Sequence, residues 1–248
     1  MLSLIHICYI RNTTNVANSE VAEIAAAGNP IKIDGNGPQV LIMHTHATES
    51  FEKYDLGWYD RAVPTRSTDD TINTVAIGDE ITKQLNAAGI STLHDNTQHD
   101  YPSYNGAYDR SAETVKKYLA EYPSIKIVLD IHRDAIERDG GIRVKPTVNI
   151  NGKNAAQVMV ISCCDDGKNG LTHWRENLKF AAGLQDSMEK NFPGFTRPIF
   201  LAYRFYNQNL TTGSLLIEVG AHGNTIDEVK YSGELIGKSL AALLKQGG

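Results

Sequence analysis

Ile125-Lys126-Ile127-Val128-Leu129-Asp130-Ile131-His132-Arg133-Asp134 is a run in which an apolar core segment passes straight into charged and imidazole side chains. Residues 125–131 form the cleanest buried-strand pattern in the chain, preceded by Pro123, which ends the helix before it. Two more short apolar runs carry the same signature. Val40-Leu41-Ile42-Met43 follows Gly37-Pro38, and Leu215-Leu216-Ile217 leads into Glu218. Between these strands the period changes. Ile72, Val75, Ile77, Ile81 and Leu85 have helical spacing, with Gly89 at the stop. Residues 90–94 read as a further strand. Ser111 is expected to cap a helix running to Tyr122, with Glu113 in its first turn. Segments 142–150 and 156–162 are β-rich around Asn151-Gly152, a hairpin signal. Helices are expected over 176–191 and 227–245. Alternating strands and helices predict an α/β fold, a three-layer sandwich around a mostly parallel, mixed and twisted sheet. Residues 12–30 are polar and alanine-rich. The reading is therefore a tail or linker over 1–30, a possible remnant of a leader or anchor, and one catalytic domain over 31–248.

The 248 residues suffice for one large domain with a buried core. Hydrophobic residues make up 41% and charged residues 21%, with a net charge of -5. This balance argues against a nucleic-acid partner and against a polybasic membrane contact. No apolar stretch approaches the roughly 18 residues of a membrane span. Cys8, Cys163 and Cys164 form no C-x-x-C pair, so a thiolate metal site is not expected, and Cys163 and Cys164 read as packing.

The chemistry gathers where strands end. His44-Thr45-His46-Ala47-Thr48-Glu49-Ser50 follows the first apolar run, Asp130-Ile131-His132-Arg133-Asp134 closes the second, and Glu218-Val219-Gly220 follows the third. In a parallel sheet all three open on one edge, where sites form. One strand-end histidine is usually structural. Two arriving together with carboxylates point to a borderline-soft metal ion such as zinc. His46, Glu49 and His132 supply three ligands with a fourth position open for water. Glu218, from a separate strand, is placed as general base. Arg133 is a candidate to polarise a carbonyl or bind a substrate carboxylate, and His44 is a candidate for an oxyanion or supporting role. Asp130 and Asp134 read as imidazole-orienting partners or caps. His94, His99 and His173 read as surface residues.

These motifs, with Tyr206-Asn207-Gln208 and Leu216-Ile217-Glu218-Val219-Gly220, resemble the stage II sporulation protein P family from about Gln39 onward. The resemblance implies a cell-wall hydrolase of endospore-forming bacteria that cleaves the N-acetylmuramoyl-L-alanine amide and cross-linked stem peptides. It further implies membrane anchoring, action outside the cytoplasmic membrane during engulfment, and a lytic transglycosylase and a membrane scaffold protein as partners. Asn207 and Gln208 become candidates for holding glycan or stem peptide. The chain is also similar to the wider group of zinc amidases. Glu218, Gly220 and Asn224 reproduce their E-x-G-x-x-x-N pattern, and residues 130–134 resemble their S-x-H-x-N. That group places its middle ligand before the first long helix, near Asp69 here, whereas Glu49 offers H-x-x-E spacing; Glu49 is preferred. Ala47 and Phe51 stand where the family pattern suggests Thr and Tyr. Two rival readings are a zinc carboxypeptidase and a non-catalytic peptidoglycan-binding module.

Overall fold

A computed structural model describes residues 9–245. The elements are β1 (Ile10–Asn12), α1 (Asn18–Ala26), β2 (Val40–Met43), α2 (Val75–Ala87), β3 (Thr92–His94), α3 (Ala107–Glu121) and β4 (Ile127–Asp134). They continue with β5 (Glu137–Arg138), β6 (Ile142–Arg143), β7 (Thr147–Ile150), β8 (Lys153–Ala156), β9 (Val158–Cys163), α4 (Trp174–Asn191), β10 (Ile199–Ala202), β11 (Gly213–Ala221) and α5 (Ile226–Lys245).

Seven strands form one sheet in the order β1-β10-β9-β11-β4-β2-β3. All neighbours run parallel except β11 and β9. The sheet is thus mixed, but not through the expected hairpin. Asn151-Gly152 joins β7 to β8 in a separate two-stranded sheet, and β9 crosses into the main sheet on its own.

Alternation along the strands sorts the core into two faces. Val40 and Ile42 of β2, with Ile127, Leu129 and Ile131 of β4, pack with Ile77, Ile81 and Leu85 of α2 and with α5. Leu41, Met43 and Val128 point the other way, onto Val115, Tyr118 and Leu119 of α3. Helices therefore cover both sides of the sheet. On the first side α2 and α5 cross closely. A Cβ on Gly237 would lie 2.7 Å from Gln84 Cβ and 3.0 Å from the Ile81 carbonyl, so glycine there permits the approach.

Several boundaries differ from the sequence reading. Residues 10–12 pair in register with 199–201 and α1 packs on α4, so the folded unit begins well before Ile31. The tail expected over 1–30 is corrected to that extent, and residues 1–8 lie outside the described residues. A three-residue edge strand gives too short a pattern to announce itself. Ser111 is not a cap. Gly106 precedes α3, and the Ser111 hydroxyl lies inside the helix, 2.8 Å from Thr45 Oγ1. His94 and His99 are not surface residues. His94 Nε2 meets His44 Nε2 at 2.8 Å, and the 3% exposed His99 bridges the His44 carbonyl and Thr114. Among the described residues, no helix is long and apolar enough to cross a membrane.

Candidate metal centre

Pairing register builds the centre. In the ladder between β4 and β11, Glu218 lies directly opposite His132, so the two side chains leave the same face of the sheet. The strands run three and four residues further than the apolar pattern, which places both groups inside the ladder rather than beyond it. Beyond Glu218 the ladder shifts register before Ala221 pairs with Asp134. Gly220 supplies the turn with φ 63°, and Asn224 Oδ1 accepts a 2.9 Å bond from the Ala221 amide. A Cβ at Gly220 would meet Asn224 Oδ1 at 2.6 Å and Ala156 Cβ at 2.8 Å. The E-x-G-x-x-x-N spacing is therefore the wiring of a bulge that aims Glu218.

His46 and Glu49 lie on the turn after β2. One ligand atom from each of His46, Glu49 and His132 falls within 4.8 Å of the others, and all three residues are buried. Glu49 Oε1 is 3.8 Å from His46 Nδ1, and its Oε2 is 3.5 Å from His132 Nδ1. The other side of His132 meets a carboxylate, with Nε2 2.9 Å from Asp130 Oδ1. Asp130 is itself held by the Thr45 amide at 2.8 Å and the Thr45 hydroxyl at 2.7 Å. A carboxylate behind an imidazole fixes the ring and raises its basicity, as at many metal sites.

The electrostatics call for a cation. Burial pulls the His132 imidazole down, and the Asp130 and Glu49 carboxylates more than reverse it, leaving it well above its ordinary value. Burial also opposes ionisation of Glu49, but its contacts with His132 and Arg133 hold it below the usual carboxylate range. Glu218 has no such help. Burial first, and then the neighbouring Glu49 carboxylate, push it up to about 8 against the pull of His132. Its Oε2 is closed off from solvent and has no hydrogen-bond partner among the described residues. Three convergent donors of the His-carboxylate-His type beside an unpartnered buried carboxylate oxygen suit a divalent metal ion.

The other predicted residues have different surroundings. Asp69 is exposed and bonds Thr71, away from the cluster. Arg133 is 6% exposed and its guanidinium is spent on the Ser50, Asp134 and Thr65 carbonyls, while its amide donates to Glu49 Oε2 at 3.1 Å. It shapes the loop that carries Glu49 rather than facing a ligand. His44 is fully buried against Gly78 of α2, bonded to the Ile131 carbonyl and His94. Because β2 ends at Met43, strand alternation does not carry His44 onto the face of His46. Gln208 is 1% exposed and stitches the Ile161 carbonyl to the Cys163 amide. Asn207, in the left-handed region with φ 55°, donates to the Tyr108 carbonyl and Ser111.

Sequence reasoning missed the aromatic wall. Tyr104 stacks on His46 with centroids 4.6 Å apart, and Arg66 sits 4.8 Å over Tyr104. Tyr108 contacts the edge of His46, lies parallel to His132 and stacks on Tyr206. Arg66 Nη2 also reaches within 3.4 Å of Glu49 Oε1. Of these residues only Tyr206 belongs to a quoted motif; no spacing signal in the sequence marks Arg66, Tyr104 or Tyr108.

The family model described as Stage II sporulation protein P matches residues 9–241. The chain belongs to the stage II sporulation protein P family. The stage II sporulation protein P of Bacillus subtilis (strain 168) is 30% identical over 212 residues, 81% of this chain and 50% of that protein. The chain thus spans about half the length of that relative. Among solved structures, the N-acetylmuramoyl-L-alanine amidase AmiC2 of Nostoc punctiforme is 15% identical with a TM-score of 0.47, covering 87% of this chain and 98% of that one. The CwlD amidase of Clostridioides difficile, solved in complex with the GerS lipoprotein, is 12% identical with a TM-score of 0.48, covering 84% and 99%.

Proposed function

We propose that this member of the family is a zinc-dependent peptidoglycan hydrolase that cleaves the amide between N-acetylmuramic acid and L-alanine, and also stem-peptide cross-links. The observation that carries this reading is the register pairing of Glu218 with His132, beside a three-ligand cluster. A wall-binding module has no use for a buried carboxylate without a partner, whereas a hydrolase needs one. His46, Glu49 and His132 would hold zinc through imidazole nitrogens and a carboxylate oxygen. A zinc ion held there supplies a Lewis acid that brings the pKa of water down to about 7.

The protein's own groups do the rest. Glu218 takes a proton from the attacking water at its carboxylate and delivers it to the leaving amine nitrogen. Asp130 keeps the His132 ring in place through both. The Tyr104 and Tyr108 rings wall one side of the cluster. Arg133, His44, Asn207 and Gln208 support this arrangement from behind.

By family membership the work belongs to sporulation, with engulfment as the stage, peptidoglycan outside the cytoplasmic membrane as the substrate, and a membrane anchor in the full-length protein. A lytic transglycosylase that opens the glycan strand and a membrane scaffold protein complete the proposed setting. The test is digestion of purified peptidoglycan by the wild type and Glu218→Gln, with metal content measured on both. Stem peptides released only by the wild type, with zinc near stoichiometric in each, are expected. Single amino acids as the products, or full activity in the variant, would overturn the reading.

A further inference from the structure

Of the large apolar side chains that stand exposed in the described residues, half fall on two segments. Tyr54, Leu56, Trp58 and Val63 lie on the loop after Glu52, and Ile142 lies on β6. Trp58 is 66% exposed and Tyr54 72%. Aromatic surface left in water at this density marks a binding site. The loop is not a loose excursion. Its neck is closed beside the metal ligand Glu49: the Ser50 amide bonds the Thr65 carbonyl, the Ser67 amide bonds the Thr48 carbonyl, and Arg133 Nη2 grips Thr65. Its near end is tied to the Glu218 motif, since the Glu52 amide and carbonyl pair with Asn224 and Ile226.

Between this loop and the segment around Arg143 is a recess of about 160 Å³, bordered by Tyr54, Trp58, Tyr59, Arg143 and Lys145. Pockets that enclose a drug-sized ligand hold roughly 300–1,000 Å³, so this recess suits a single ring. Its back wall is braced. Arg143 lies 3.7 Å over the Tyr59 ring and 2.9 Å from Glu52 Oε1, and the Tyr59 hydroxyl donates to the Gly141 carbonyl. Lys145 bridges Asp55 at 2.6 Å and Glu228 at 3.1 Å. The charges lining the recess, Glu52 and Asp55 against Arg143 and Lys145, cancel. A charged ligand group has no counter-ion waiting there. A neutral ring with many hydroxyls does fit, its C–H face on the aromatics and its hydroxyls on paired donors and acceptors.

We infer that Trp58 and Tyr54, braced by Tyr59, Arg143 and Lys145, form an accessory subsite for one pyranose ring of a glycan strand, on the loop whose neck adjoins Glu49. The inference rests on the proposed peptidoglycan substrate. Such a subsite makes the enzyme prefer polymeric glycan to isolated muropeptides, because a second ring bound near the cluster raises the local concentration of the scissile amide.

The test uses the full chain carrying Glu218→Gln, so that nothing is digested, and reads binding. The chain has two tryptophans, and Trp174 is 4% exposed under Arg175, so ligand-dependent emission reports Trp58. A saturable blue shift with a tetrasaccharide of N-acetylglucosamine is expected. Adding Trp58→Ala or Tyr54→Ala should weaken retention on intact sacculi by about tenfold, the weight of one aromatic stacking contact. Both residues stand in solvent, so their loss does not threaten folding. No shift with the tetrasaccharide and undiminished retention of both variants would overturn the inference. So would a shift produced by a stem tripeptide instead. If wild type cuts nothing while the saccharide shift persists, the hydrolase reading fails and the subsite stands.

Discussion

Glu218 makes the metal-free protein less stable as pH rises, and Glu218→Gln removes that dependence. The folded group is protonated up to about 8, whereas an ordinary glutamate ionises at 4.5. The folded state then binds more protons than the unfolded state, so stability is fullest below the unfolded value and falls as pH climbs through the folded one. Between pH 5 and pH 7 this difference amounts to about 2.5 kcal/mol. That figure is a ceiling, because the Glu218 side chain is partly exposed although Oε2 is closed off. For a chain of this size it corresponds to roughly 5–10 °C in Tm. The assay is thermal unfolding of chelator-treated wild type and Glu218→Gln at both pH values. The variant should unfold at nearly the wild-type temperature at pH 5 and several degrees higher at pH 7. His132, whose proton affinity is also raised, slopes the same way in both proteins, so the difference between the curves reports Glu218 together with its interaction with His132. Excess zinc should shrink the advantage of the variant, since a nearby cation favours the carboxylate. Parallel Tm–pH curves for the two metal-free proteins would refute the claim that burial holds Glu218 neutral.

Asp130→Asn removes the charge behind His132 without changing size, and should lower zinc affinity by about 10–100-fold in competition with a chromogenic chelator while leaving the fold intact. Gln208→Ala orphans the Ile161 carbonyl and the Cys163 amide in the core, and should cost about 1–3 kcal/mol in denaturant unfolding, with zinc stoichiometry unchanged in the folded fraction. Gly237→Ala forces α2 and α5 apart and should cost about 1–3 kcal/mol by the same measurement; an unchanged midpoint would mean that the crossing is looser than described.

The sheet was readable wherever a strand was long and apolar. The run at 125–131 identified the central strand and the residues at its carboxyl end because both faces of β4 are covered, so Lys126 and Asp130 are its only polar positions. The edge was not readable. β1 has three residues, and what pins it is the partner strand at 199–201, nearly 190 positions away. Ser111 misled for a related reason: a serine before a helical pattern resembles a cap, yet here α3 starts four residues earlier and the hydroxyl serves Thr45 across the fold.

The candidate metal cluster and its neighbours divide along the same line. His46, Glu49, His132 and Glu218 are each expensive to bury, so their placement on strand ends already demands a purpose. Arg133, His44 and Gln208 are just as polar and just as buried, but their purpose lies in partners that sequence order conceals. Arg133 closes the loop at Thr65, His44 answers the Ile131 carbonyl, and Gln208 spans β9. A polar residue beside a motif is therefore weak evidence for contact with substrate, since the backbone that holds the motif in place requires hydrogen-bond partners first. Arg66 and Tyr104 are the converse case. Neither belongs to any quoted motif, yet both reach the cluster, because the loop that Arg133 ties down and the segment before α3 fold over it. Selectivity for substrate should accordingly respond to these rim residues and to the loop after Glu52, while substitutions at Arg133, His44 or Gln208 act through stability and metal affinity.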